Sequence, residues 1–201
     1  MLVRMKIGIL GSGNVGGTLG KRWAQAGHDI IFATRDRASI EAAAKAEIIT
    51  VALPFEAAQG VLESLDLKGK ILLDAMNPLL PNLAGLSVGT TTSGGEQVAQ
   101  WARGSKVVKI FNTTGYNNMA DPKYQGAATT MFYCGDDAAA KSVAKRLAAD
   151  LGFDPIDAGP LENARLLEPL AMLWIWLAVK GGIGRDIAFK LLVGRDSRQT
   201  G

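Results

Sequence analysis

The sequence has very little cysteine or histidine, with one residue of each among 201. A lone cysteine cannot form an internal disulfide, and Cys134 lies in the apolar run TTMFYCG. We therefore expect a buried thiol and a cytoplasmic protein. His28 falls in the turn AGHDI, where we expect a loop residue without a catalytic role. Because no cluster of side chains has metal-ligand spacing, the sequence predicts no metal site.

Long hydrophobic runs and blocks of like charge are also missing. The most apolar stretch, PLAMLWIWLAV, has eleven residues, whereas a membrane-spanning helix needs about 20. No signal peptide is evident, because the chain passes directly from its first residues into a folded motif. Lysine and arginine are scattered and the net charge is +3, a pattern that does not indicate a nucleic-acid surface. We expect neither a membrane nor a nucleic acid as a partner.

Glycine, by contrast, is concentrated near the N-terminus, where GILGSGNVGGTLG holds six glycines in thirteen residues. The motif G-x-G-x-x-G lies between a short apolar strand and the start of a helix, and in this context it predicts a dinucleotide-binding site. Gly11 permits the tight turn, Gly13 lets a pyrophosphate contact the backbone, and Gly16 lets the helix pack closely against the strand. The helix N-terminus adds backbone amides that bind the anion. The predicted site comprises Gly11, Ser12, Gly13, Asn14, Val15 and Gly16.

The end of the second strand, FATRDR, predicts NADP rather than NAD. NAD sites carry an acidic residue here for the ribose hydroxyls, and a carboxylate would repel a 2′-phosphate. In this chain Thr34 can donate its hydroxyl, and the planar fork of Arg35 can bind the phosphate. Arg37 is a second cation nearby. We expect Asp36 to cap the next helix instead of facing the ribose.

Strands and helices alternate along most of the chain, which predicts an α/β fold with a doubly wound parallel sheet of the Rossmann type. This NADP-binding domain would span residues 1–159, and a small helical domain would span residues 160–201. Only eleven residues separate Arg35 from Glu47, enough for one helix but not for the usual third strand as well. We therefore expect DIIFAT to be an edge strand and EIITVALP to pair on the other side of the first strand.

The C-terminal stretch LLEPLAMLWIWLAV predicts a homodimer. A helix that is apolar around most of its circumference must be covered on most sides, and a short C-terminal part cannot easily cover it. A second subunit would supply the missing cover. The alternative is a helix that is buried wholly within its own monomer.

The sequence offers no evident catalytic acid, base or nucleophile. Asp74 lies in an apolar strand, where we expect a carboxylate that is hydrogen-bonded within its own turn rather than a perturbed acid. Open α/β sheets bind ligands at the carboxyl ends of their strands, and the residues there can orient a ligand but transfer protons poorly. This favours hydride transfer to a second cofactor that carries its own chemistry. The candidates are Leu53, Pro54, Asn77, Pro78, Asn112 and Thr113.

Together with the glycine motif, the segments VALPFEA, DAMNPL and VVKIFNTTG, and the stretch from CGDD to WLA, resemble those of NADPH-dependent coenzyme F420 reductases. The cytosolic domains of membrane ferric reductases are similar. The resemblance covers nearly the whole chain and implies a homodimer that transfers hydride directly between the nicotinamide and a deazaflavin. It implies roles for Thr34 and Arg35 at the 2′-phosphate, for Leu53 and Pro54 at the nicotinamide ribose, and for Asn77, Asn112 and Thr113 at the ring-binding pocket.

Three other functions stay open at the level of the sequence. The first is NADPH-dependent reduction of a free flavin or a ferric chelate, which the ferric-reductase resemblance suggests. The second is reduction of small imines, although such enzymes usually carry a longer helical domain. The third is a regulator that binds NADPH without chemistry, since no acid or base is evident. The chain also departs from the F420 reductases in its shortened segment after the second strand.

Overall fold

A seven-stranded sheet forms the centre of the protein, which a computed structural model describes for residues 4–194. The strands are β1 (Lys6–Leu10), β2 (Asp29–Ala33), β3 (Ile48–Val51), β4 (Ile71–Asp74), β5 (Lys106–Ile110), β6 (Lys123–Tyr124), β7 (Ala127–Ala128), β8 (Thr130–Gly135) and β9 (Asp154–Asp157). In the sheet they follow the order β2-β1-β3-β4-β5-β8-β9, while β6 and β7 form a separate hairpin.

Helices cover both faces of the sheet, as expected for a Rossmann-type α/β fold. They are α1 (Asn14–Gln25), α2 (Arg37–Ala44), α3 (Phe55–Glu63), α4 (Gly94–Trp101), α5 (Tyr116–Ala120), α6 (Ala138–Asp150) and α7 (Ala164–Ile175). One apolar core lies between the sheet and the helices α1, α5 and α6. A second core lies between the opposite face and the helices α2, α3 and α4. Residues of β1 alternate between the two, with Ile9 in the first core and Leu10 in the second.

The predicted strand order around the shortened segment is confirmed. β1 pairs in parallel with β2 on one side and with β3 on the other, so Ile7 lies opposite both Ile30 and Ile48. The single helix α2 fills the connection from β2 to β3. Within residues 4–194, β2 has no neighbour on its outer side and is therefore an edge strand.

The predicted Rossmann-type fold with a mostly parallel sheet is confirmed, and one antiparallel pairing in the sheet was not predicted. β8 runs antiparallel to β5, with Val108 opposite Gly135, and β9 runs parallel to β8. A parallel neighbour requires a crossover that returns the chain to the opposite edge. The connection from β5 to β8 holds only α5 and the β6–β7 hairpin. The chain therefore re-enters the sheet at the end where β5 finishes, and β8 runs in the opposite direction.

The C-terminal part is helical only as far as Lys180. A short 3-10 helix at Leu161–Asn163 leads into α7, which continues as a π-helical turn at Trp176–Lys180. The glycine-rich sequence GGIG follows, and glycine disfavours helix. The chain then passes α5, where the Asn118 side-chain amide donates to the Ile187 carbonyl at 2.6 Å. It next reaches the start of β8, where the Thr130 amide donates to the carbonyl of Phe189 at 2.9 Å. The last seven residues of the predicted helical domain lie outside the described residues, and the domain division at residue 160 stays a prediction.

Candidate functional site

The three glycines of the motif differ in how much space lies around their Cα atoms. Gly11 has a φ of +101°, and a Cβ there would lie 2.4 Å from the carbonyl oxygen of Ala52. A Cβ on Gly16 would lie 1.9 Å from the carbonyl oxygen of Gly11, so this glycine lets α1 pack against the turn. A Cβ on Gly13 would have no atom of the described chain within 4 Å. Gly11 and Gly16 therefore serve the fold, whereas Gly13 borders open space.

The N-terminus of α1 carries unpaired backbone donors next to this open space. Gly13 is its N-cap, no side chain of the described residues caps it, and no acidic residue lies in its first turn. The first amides of a helix, which here include those of Asn14 and Val15, have no partner within the helix and attract anions. Other helices of the fold satisfy such amides with side-chain acceptors, namely Asp36 in α2, Ser93 in α4 and Asp137 in α6.

A cavity of about 290 Å³ lies at the carboxyl ends of β3 and β4, directly beside the start of α1. Its wall brings together four residues that the sequence analysis selected separately: Val15, Leu53, Pro54 and Asn77. Phe55 and Met76 complete much of the remaining lining. The wall is thus assembled from three segments that are far apart in the chain, at the edge where open α/β sheets bind ligands.

Asn112 does not line the cavity but is hydrogen-bonded to Asn77, which does. The Asn77 side-chain amide donates to the Asn112 carbonyl at 2.9 Å, and the Asn112 side-chain amide donates to Asn77 Oδ1 at 3.1 Å. The Asn112 amide also donates to the Leu167 carbonyl at 3.2 Å. Among the described residues, Asn112 Oδ1 is buried and has no hydrogen-bond partner. Thr113, the next predicted residue, is buried beside it and does not line the cavity.

The backbone just before Asn112 is in an unfavourable conformation. Phe111 has a φ of +65°, which is a genuine outlier for a bulky residue. Its ring is held by an edge-on contact with Trp23 at 5.6 Å between centroids and by Phe153 at 6.4 Å. Such strain persists where the surroundings over-determine it, and it often marks functional sites. Core packing therefore fixes the direction in which the chain leaves β5.

Thr34 and Arg35 lie exposed at the end of the edge strand β2, apart from the cavity wall. Asp36 caps α2 as expected, accepting from the Ser39 amide at 2.9 Å. The Thr34 hydroxyl donates to the Asp36 carboxylate. This bond and those from Ser39 lower the pKa of Asp36 to about 2. Within residues 4–194, Arg35 has no ion pair, whereas Arg37 pairs with Glu41 at 2.6 Å.

A buried ionic cluster behind the cavity was missed by the sequence analysis. Lys109 Nζ lies 2.8 Å from Asp74 Oδ2 and 2.8 Å from Glu168 Oε1, and all three side chains are almost completely buried. Burial alone would lower the pKa of Lys109, but the two carboxylates raise it above its ordinary value. Asp74 Oδ1 also accepts from the Met76 amide at 2.9 Å, which confirms the predicted bond within the turn. The sequence signal that could have indicated this cluster is Lys109 itself, a charged residue between apolar residues in VVKIF.

His28 and Cys134 lie away from the cavity. Cys134 is buried as expected, and burial raises the pKa of its thiol to about 12. His28 occupies the predicted loop before β2 but is buried, and its Nε2 lies 3.1 Å from Asp150 Oδ2. His28 directly precedes β2 and therefore lies at the amino ends of the strands, opposite the cavity at their carboxyl ends.

Two kinds of site are absent from residues 4–194. No group of three or more histidine, cysteine, aspartate or glutamate side chains could hold a metal ion there. No helix in the same range is long and apolar enough to span a bilayer.

Comparison with known proteins finds a family profile and a similar protein that both carry the name of F420-dependent NADP oxidoreduction. The profile of the family "NADP oxidoreductase coenzyme F420-dependent" matches residues 6–78. The F420-dependent NADP reductase of Methanothermobacter marburgensis is 29% identical over 213 residues, a match that covers 89% of this chain and 95% of that relative. The metalloreductase STEAP3 of Rattus norvegicus is 30% identical over 189 residues. This second match covers 85% of the chain but only 38% of the longer relative.

A solved structure extends the likeness to the whole fold. It belongs to a protein from Arthrobacter sp. FB24 that is provisionally named an F420-dependent NADP reductase. Its TM-score is 0.85 at 31% sequence identity, and the match covers 94% of this chain and 100% of that chain. The two proteins therefore share the same overall fold over almost their full lengths.

Proposed function

The chain belongs to the family of coenzyme F420-dependent NADP oxidoreductases, and from this premise we propose that it transfers a hydride between NADPH and coenzyme F420. The open space at Gly13, beside the uncapped N-terminus of α1, is the observation that carries the NADPH part of the proposal. A side chain at Gly13 would fill the space that a pyrophosphate needs. The acceptor is inferred from the names of the relatives.

The phosphates of NADPH would be held at two places. The amides of Asn14 and Val15, with Gly13 and the Ser12 hydroxyl, would bind the pyrophosphate at the positive end of α1. Arg35 would bind the 2′-phosphate, because it is exposed and without an ion pair among the described residues. Thr34 would take part only by exchanging its bond to Asp36 for one to the phosphate.

The nicotinamide end would occupy the cavity at the ends of β3 and β4. When NADPH is bound, its dihydronicotinamide supplies the hydride. Leu53 and Pro54 would contact the ribose, and Asn77, held by Asn112, would orient the ring. Direct hydride transfer between two cofactors requires no side chain of the cavity to transfer a proton. The protein contributes binding and orientation, while the two cofactors carry the chemistry.

NADPH oxidation measured against a panel of acceptors tests this function. The panel contains coenzyme F420, FMN, FAD, ferric citrate and a cyclic imine, each with NADPH and with NADH. We expect turnover with coenzyme F420 and NADPH to exceed every other pair. Tight NADPH binding without oxidation by any acceptor would contradict the proposal and identify a regulator instead.

A second candidate is NADPH-dependent reduction of a free flavin or a ferric chelate. The specific observation in its favour is the 30% identity to the rat metalloreductase over 85% of this chain. This candidate predicts that FMN, FAD or ferric citrate oxidises NADPH faster than coenzyme F420 does. We also propose a homodimer in the cytoplasm, with the exposed apolar face of α7 in the subunit contact.

A further inference from the structure

The ammonium group of Lys109 is completely buried, and all three of its hydrogens have an acceptor. Its Nζ donates to Asp74 Oδ2 at 2.8 Å and to the Met76 carbonyl at 2.7 Å, and it lies 2.8 Å from Glu168 Oε1. An ammonium group has three hydrogens, so these three acceptors satisfy it completely. The cluster therefore leaves no donor on Lys109 for a ligand.

The excess negative charge of the two carboxylates is balanced by the start of α4. Glu168 accepts from the amides of Gly94 and Gly95, each at 2.9 Å. These are the first amides of the helix, where its dipole favours an anion. A Cβ on Gly94 would lie only 3.1 Å from Glu168 Oε1, and a Cβ on Gly95 would lie 3.0 Å from the Ala164 Cβ. The glycine pair thus lets α7 approach closely enough to complete the cluster.

The cluster holds the part of the cavity wall that would meet the nicotinamide. The Met76 amide donates to Asp74, and the Met76 carbonyl accepts from Lys109, so the peptide groups on both sides of Met76 are fixed. Asn77 follows directly and lines the cavity with Met76. The same turn of α7 also reaches Asn112, because the Leu167 carbonyl accepts from its amide at 3.2 Å.

We propose that Lys109 is a positioning residue for hydride transfer, which acts by fixing Met76 and Asn77 against the nicotinamide without contacting it. This inference rests on the proposed function. A misplacement of about 1 Å at a reacting centre can cost about 10²-fold in rate. The phosphates would bind at the start of α1 and at the end of β2, whereas Lys109 lies on β5, three strands away from β1 in the sheet order. Loss of the cluster should therefore slow turnover and leave NADPH binding almost unchanged.

The test uses Lys109→Met, which keeps the length of the side chain, and Glu168→Gln, which keeps its shape. We expect kcat to fall by about tenfold or more in each, while the Kd of NADPH changes by less than about twofold. If Lys109→Met does not fold, Glu168→Gln alone decides. The matched control is Asp150→Asn, which removes the negative charge beside buried His28 at the amino ends of the strands. The control should lower the Tm and leave kcat unchanged.

Hydrogen exchange provides a readout that does not depend on turnover. Peptides covering residues 74–79 should exchange faster in both variants, while those covering residues 11–17 should not. Unchanged kcat in a variant that binds NADPH, or exchange that rises equally in all peptides, would overturn the proposal and leave a purely stabilising role. Failure of the proposed function itself would appear differently, as absence of turnover in the unaltered protein while the local exchange pattern is kept.

Discussion

Asn77 and Asn112 form a reciprocal pair across the ends of two neighbouring strands, with hydrogen bonds of 2.9 and 3.1 Å. One residue follows β4 and the other follows β5, so the pair fixes the spacing of these strand ends where the cavity opens. Amide side chains suit this task, because each can donate and accept at once. The pair supports the cavity wall, and Asn112 Oδ1 is the one buried side-chain atom of the pair without a partner among the described residues.

Replacing Arg35 by alanine should weaken NADPH binding selectively. We expect the Kd of NADPH to rise by about tenfold or more, or about 1.4 kcal/mol, because the 2′-phosphate loses its cation. NADH should bind as before, and isothermal titration calorimetry with both cofactors measures the difference. Arg37→Ala is the matched control, since Arg37 already pairs with Glu41. An equal loss for both cofactors would show that Arg35 does not bind the 2′-phosphate.

Replacing Gly13 by valine should abolish binding of both dinucleotides in a folded protein. The new side chain would enter space that no atom of the described chain occupies within 4 Å of its Cβ, so circular dichroism and the Tm should change little. Gly16→Ala is the contrasting variant, because its Cβ would lie 1.9 Å from the Gly11 carbonyl. It should destabilise the protein by about 1–3 kcal/mol, the usual cost of overpacking. Unaltered NADPH affinity in folded Gly13→Val would argue against a pyrophosphate site at this turn.

The Cys134 thiol should be inert in the native protein. Burial raises its pKa from 9.0 to about 12, and the thiolate is the reactive form. An aromatic disulfide reagent at mildly alkaline pH should therefore react only after guanidinium is added. The same shift implies a stability contribution that is complete below pH 9 and is lost as the pH rises towards 12. Rapid labelling without denaturant would contradict this burial.

Light scattering should give about twice the chain mass of 21.2 kDa. Leu166, Leu173 and Trp176 of the last helical segment are 65%, 49% and 51% exposed, which leaves an apolar face uncovered in the monomer. Leu173→Glu should yield a folded monomer, because it places a charge in the proposed contact. Leu80→Glu, at a loop residue with 40% exposure, is the control and should remain dimeric. A mass of 21.2 kDa for the unaltered protein would favour a monomer.

Local rules predicted much of this fold from the sequence. The eleven residues between Arg35 and Glu47 were too few for a third strand, which made β2 an edge strand by length alone. Asp36 caps the helix that follows it as predicted, because an N-cap depends only on its nearest neighbours. The glycine turn was located from its own short motif, and the residues after β3 and β4 were selected from the predicted carboxyl ends of the strands. Their roles in binding stay predictions.

Features that depend on distant parts of the chain were not predictable in the same way. The direction of β8 depends on a connection whose elements have only two to five residues, too short to leave a periodic pattern. Lys109 and Glu168 each stand out as charges in apolar surroundings, but only the folded chain brings them within 2.8 Å. The burial of His28 likewise depends on Asp150, which lies 122 residues further along the chain.

The contact between Glu168 and the start of α4 has a consequence during synthesis on the ribosome. Glu168 follows Gly94 by 74 residues, so Lys109 and Asp74 leave the ribosome long before their second carboxylate. Until α7 emerges, the nascent chain cannot bury this lysine with all its partners, and an incompletely paired buried charge is costly. The nucleotide-binding sheet therefore reaches its native packing only when the C-terminal helix has been made. Chains that are released before residue 168 should be recognised by chaperones and proteases as unfinished, although they already contain the whole glycine motif.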